Sequence, residues 1–101
     1  MAGEAAAPED CGSLDEIRAG MDAIDRDIIR LIARRVGYVR AAAKFKTSAA
    51  NVAAPERVAA VLKTRRGWAE EAGLDGEAVE ALYRGLVSYC VSEEHKRWQE
   101  M

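Results

Sequence analysis

Apolar residues recur between residues 14 and 45 at the three- and four-residue spacing of an α-helix: Ile17, Met21, Ile24, Ile28, Leu31 or Ile32, then Arg35, Val39 and Ala42. At roughly 100° per residue Arg35 points the same way as Ile17 and Ile28, and Lys46 lies close to that line if the helix runs that far. Ser13 and Glu16 form an S-x-x-E capping box just ahead of the ladder. The pattern predicts a first helix from there to about Phe45. The stretch Lys46 to Ala54 (KTSAANVAA) loses the period and predicts a connecting loop. Pro55 suits the first turn of a second helix, with Glu56 facing the positive end of its dipole. Val58, Val61, Leu62, Arg65 and Trp68 give that helix a face, and Gly73 supplies its stop. Asp75 caps a third helix from about Gly76 to Trp98, with Val79, Leu82, Leu86, Tyr89 and Cys90 as its stripe and Glu93 and Glu94 on either flank. No segment sustains period-two alternation, so strands are not expected. The predicted fold class is all-α with three helices per chain (long, medium, long): residues 1–12 as a flexible tail and residues 13–101 as one helical domain.

Two features of the first helix change the picture. Some 30 residues at 1.5 Å each span roughly 45 Å, longer than a small domain is wide. Two shorter helices of the same chain cannot cover such a stripe, so a second chain is expected against it. The ladder also carries an arginine where a leucine belongs. A buried guanidinium without a partner costs several kcal/mol in order of magnitude. Arg35 therefore calls for an anion, either a carboxylate elsewhere in the fold or an anionic ligand.

Composition narrows the function classes. The formal net charge is −2 with both signs interspersed, which disfavours nucleic acid or an anionic membrane as the main partner. No apolar run approaches the ~18 residues that a membrane span needs. The opening MAGEAAAPED has neither the basic nor the apolar region of a secretory signal, so a cytoplasmic protein is expected. Cys11 and Cys90 lack metal-ligand spacing and are expected to stay reduced. His95 is the single histidine, which leaves no multi-histidine metal site and is read as a surface residue.

The segments EDCGSLDEIRAGMDAIDRDIIRLIARR, YVRAAAKFK, APERVAAVL, WAEEAGLD and LVSYCVSEE together resemble the all-helical chorismate mutase family. Within it the chain is most similar to the isochorismate pyruvate lyase branch, which makes salicylate for siderophores. The similarity runs from Pro8 to Trp98. Its specific parts are D-x-I-D-x-x-I-x-x-L-x-x-R-R, the F-K-x-S start of the loop, and the A-P-E-R-V helix start shared with the lyase branch. The resemblance implies an intertwined homodimer whose two active sites each borrow an arginine from the other subunit's long helix.

It also implies the chemistry. Chorismate and isochorismate are dicarboxylates carrying an enolpyruvyl ether. The mutase reaction is a [3,3] rearrangement; the lyase reaction moves a hydrogen and expels pyruvate to leave salicylate. Both are pericyclic, so no nucleophile, metal or cofactor is required. The protein must hold a reactive conformer and stabilise charge growing on the ether oxygen. By resemblance Arg18, from the partner chain, and Arg35 bind carboxylates, for which the guanidinium fork is better shaped than an ammonium. Lys46 reaches the ether oxygen and a carboxylate, and the loop after it closes over the ligand. From the residues alone, Arg18 also reads as a solvated flank paired with Asp22, Arg35 as one half of a structural ion pair, and Lys46 as an ordinary helix-end lysine. Glu56 reads equally as a first-turn acid or as a partner of the ring hydroxyl. Cys90, one turn before Glu94, reads as pocket lining or as a small core residue.

Glu94 departs from the lyase pattern, which has a glutamine whose N–H donates to the ether oxygen. A carboxylate has no proton to donate, so this residue can take the role only as the acid, a form that burial beside an anion favours. Periodicity alone leaves Glu93 and Glu94 both eligible; the YCVSEE match favours Glu94. The departure keeps open chorismate mutase proper, converting chorismate to prephenate. A non-catalytic helical dimer is the remaining alternative.

Overall fold

A computed structural model describes residues 6–101 of the chain; the first five residues of the predicted tail lie outside the described residues. Three long α-helices carry the architecture, and among the described residues there is no strand. A 3-10 turn over Pro8–Asp10 precedes helix α1, Leu14–Ala42. A second 3-10 turn, Ala43–Phe45, leads to a short helix α2, Ala49–Ala53. Helices α3, Pro55–Glu71, and α4, Gly76–Gln99, follow. No helix among the described residues is long and apolar enough to cross a membrane.

The chain divides into two units, Met1–Arg35 and Val36–Met101. In the first, local chemistry starts α1 as the capping box requires. Ser13 Oγ accepts from the Glu16 N–H at 3.1 Å, and the Glu16 carboxylate reaches back to the Gly12 N–H at 3.0 Å. The apolar ladder stands open to solvent in the single chain: Ile17, Met21, Ile24, Ile28 and Leu31 keep 42–58% of their surface exposed.

In the second unit, α3 and α2 pack on α4, and so does the 3-10 turn Ala43–Phe45. The core is small: Val36, Ala43, Val52, Val61, Leu62, Ala69, Val87 and Cys90. Gly73 ends α3 as expected. It takes a left-handed φ of 81°, its N–H bonds to Glu70 O at 3.0 Å, and the Leu74 N–H bonds to Ala69 O at 2.8 Å. That is a Schellman closure, and the positive φ explains the glycine. Asp75 then caps α4 by accepting from the Glu77 and Ala78 N–H groups. Arg66 ties α3 to the start of α4 through Glu77 and Glu80 at 3.8 and 3.4 Å.

Five expectations need correction. Helix α1 stops at Ala42, not Phe45, because the chain tightens into a 3-10 turn where Ala43 is fully buried against α4. Lys46 is consequently an extended residue beyond the helix and not a member of its ladder. The expected loop contains α2: Ser48 caps it by accepting from the Asn51 N–H at 3.2 Å, and Val52 anchors it in the core. The buried line of α4 is Val87, Cys90 and Glu94, whereas Leu82 and Tyr89 stay 73% and 51% exposed. On α3 the buried residues are Val61, Leu62 and Ala69; Arg65 instead stacks over the exposed Trp68 ring at 4.5 Å.

Candidate active site

Where α1 gives way to the 3-10 turn, Lys46 is fixed from several directions. Its N–H donates to Ala43 O at 3.1 Å, which closes the turn. Its ammonium donates to Asn51 O at 3.0 Å and lies 3.1 Å from Glu94 Oε2. Its carbonyl accepts from Trp98 Nε1 at 3.1 Å. Both charged side chains are largely out of water, at 24% exposure for Lys46 and 10% for Glu94. Glu94 Oε2 is buried and makes its contact with Lys46 off the hydrogen-bonding direction. An acceptor atom in that state keeps unused capacity for a donor.

The neighbouring acid has a different partner. Glu93 accepts from Arg40 Nη2 at 2.6 Å and from Lys96 at 3.3 Å. Arg40 above all, and Lys96 after it, hold the Glu93 carboxyl below the usual carboxylate range, and the same bond raises the Arg40 guanidinium. Of the two acids, Glu94 faces Lys46, and Glu93 ties the end of α1 to α4. A lowered folded-state value means the stabilisation is present above the unfolded value and lost as pH falls through the folded one. Glu93→Gln is therefore expected to lower the melting temperature at neutral pH and to flatten the acid limb of its pH profile. An acid limb of unchanged slope would show that the pair contributes nothing.

The remaining residues fall as follows. Cys90 is buried on α4 one turn before Glu94, beside the core. Glu56 sits exposed in the first turn of α3. Arg18 and Arg35 belong to the first unit, Arg18 exposed and Arg35 half-buried. No Arg18–Asp22 ion pair forms among the described residues; the i,i+3 pair Asp27–Arg30 does, at 3.5 Å. Seventeen residues of one continuous helix separate Arg18 from Arg35, about 25 Å along the axis. One small molecule cannot touch both arginines of a single chain. His95 is half-buried with its ring 6.0 Å from that of Trp98, so it is not the plain surface residue expected. Sequence reasoning missed Asn51 and Trp98. The signal for Trp98 was present, since it stands four residues after Glu94 and thus on the same helical face.

The arrangement offers a cation and a buried carboxyl at one point, with no cluster of three or more His, Cys, Asp or Glu side chains able to hold a metal among the described residues. The chain is 47% identical over 93 residues to an isochorismate pyruvate lyase of Pseudomonas aeruginosa, covering 92% of each chain. It is also 32% identical over 85 residues to the T-protein of Haemophilus influenzae, covering 83% of this chain and 22% of that one. Residues 17–95 match the chorismate mutase type II family, and the chain belongs to it.

Proposed function

We propose that the chain is an isochorismate pyruvate lyase, releasing salicylate and pyruvate, with chorismate mutase as a side activity. The observation that carries the reading is the meeting of Lys46 and Glu94 out of water, in a chain nearly half identical to a protein named for that lyase. In the reaction a ring hydrogen moves to the enolpyruvyl methylene while the ring–ether bond breaks. The enolpyruvyl group leaves as pyruvate and the ring becomes aromatic. Negative charge builds on the ether oxygen, and Lys46 is the cation placed to stabilise it. Such stabilisation is effective in a dry site, where it is preorganised. Arg35 and the partner subunit's Arg18 take the two carboxylates, Glu94 holds the Lys46 ammonium beside the ether oxygen, Glu56 addresses the ring hydroxyl and Cys90 lines the wall. We place this chemistry in the cytoplasm.

The functional unit in this reading is a homodimer with shared sites. The distance between Arg18 and Arg35 along α1 supports it, and so does the open ladder. Leu14, Ile17, Met21, Ile24, Ile28, Ile29 and Leu31 are all 42–66% exposed. Covering the exposed half of such side chains contributes about 1 kcal/mol each, on the order of 10 kcal/mol across two chains, comparable with the cost of association. Sedimentation is expected to give a dimer at micromolar concentration; a stable folded monomer there would contradict the shared site.

The activity is tested by supplying isochorismate and chorismate separately and following salicylate, pyruvate and prephenate. Equimolar salicylate and pyruvate, formed faster than prephenate, is the expected result. Prephenate as the dominant product would move the assignment to the mutase, which the carboxyl group of Glu94 favours as second reading. Consumption of neither substrate would leave a non-catalytic dimer.

A further inference from the structure

We propose that Trp98 is a positioning residue for Lys46, holding the lysine's main chain while Glu94 and Asn51 hold its ammonium. The inference rests on the reading that Lys46 meets the reacting ether oxygen.

Glu94 and Trp98 are one turn apart on α4 and address opposite ends of one residue. The carboxylate lies 3.1 Å from the Lys46 ammonium, and the indole N–H donates to the Lys46 carbonyl at 3.1 Å. The carbonyl belongs to the residue just after the 3-10 turn, in extended conformation, where no helical donor is available to it. An indole suits the task. It has a single donor and no acceptor, on a rigid ring that loses little freedom when fixed. Trp98 is itself half-buried, with the His95 ring 6.0 Å away at 30°.

The ammonium's other support is fixed locally. Asn51 O, which accepts from Lys46 Nζ, belongs to a residue whose own side chain accepts from the Thr47 N–H at 3.3 Å and the Thr47 hydroxyl at 2.6 Å. The Asn51 N–H is in turn capped by Ser48. The segment from Lys46 to Asn51 is thus a closed hydrogen-bonded loop, tied to α4 by the indole bond to the main chain and by the ion pair at the lysine's tip. A long flexible side chain whose charge must stand at one place in the transition state gains rate from such a frame, because the geometry is set before the reaction begins.

Trp98→Phe keeps the aromatic bulk and removes the donor. The expected outcome is a fall of about tenfold in kcat with KM changed less than about twofold, since the lysine is loosened but retained. The decisive readout is the same substitution in a Lys46→Ala background. There, with no ammonium left to place, Trp98→Phe leaves the residual kcat where it was. A fall by the same factor in both backgrounds would make Trp98 merely structural and overturn the proposal, as would an unchanged kcat in the single variant. If Trp98→Phe loses its helical circular dichroism, hydrogen exchange of the two indole protons in the unsubstituted protein decides. The Trp98 proton is expected to exchange more slowly than that of exposed Trp68, and equal rates overturn the proposal. Failure of the underlying reading is separable, because it shows as no turnover of isochorismate or chorismate by the unsubstituted protein.

Discussion

Arg35→Ala is expected to abolish turnover of isochorismate and to leave the helices in place. Alanine is the best helix former, and Arg35 is only half-buried on α1, so the helix tolerates the truncation. A substrate carboxylate left unpaired in a dry site costs several kcal/mol in order of magnitude. That corresponds to a loss of about a thousandfold in kcat/KM. Lys46→Ala is expected to lower kcat more than it raises KM, because its charge matters most as the ether bond breaks. Steady-state kinetics beside circular dichroism checks both. Near-full activity in Arg35→Ala would make the arginine structural and the site map wrong.

Glu94→Gln is expected to hold or raise activity at neutral pH. In the native chain the carboxylate of Glu94 is 3.1 Å from the Lys46 ammonium and offsets the charge that an anionic substrate must find there. Glutamine removes that offset, keeps the side chain's shape and brings an N–H that does not titrate. Activity of Glu94→Gln well below the native level at neutral pH would mean that the Glu94 carboxyl itself is needed at Lys46 and would contradict the offset.

How far the sequence could be read depended on the range of the interactions involved. The starts and stops of the helices are set by neighbours in the chain. Ser13 with Glu16, Pro55, Gly73 and Asp75 each act where the pattern placed them. The exposed ladder of α1 was legible for the same reason, since periodicity reports a face without reporting its cover. What escaped was fixed by packing. The 3-10 ending of α1 follows from Ala43 being pressed against α4, and α2 is held by Val52 in the core. Neither leaves a mark in local spacing. The α4 face was legible in part: Cys90 is buried as expected, but Leu82 and Tyr89, larger and more apolar than Glu94, stay exposed while Glu94 lies on the buried line. Lys46 was identified by resemblance, but its anchors, Asn51 five residues on and Trp98 fifty-two residues on, needed the fold.

In the proposed function each active site is completed by two chains, with Arg35 and Lys46 from one and Arg18 from the other. Mixing Arg18→Ala subunits with Arg35→Ala subunits, after unfolding and refolding them together, tests it most directly. Each variant alone should be inactive. In a mixed dimer one site carries both substitutions and the other carries neither, so equal mixing should restore about a quarter of native activity, with half the dimers mixed and one site of two intact in each. A mixture as inactive as its components, with mixed dimers demonstrated by mass, would contradict the shared site.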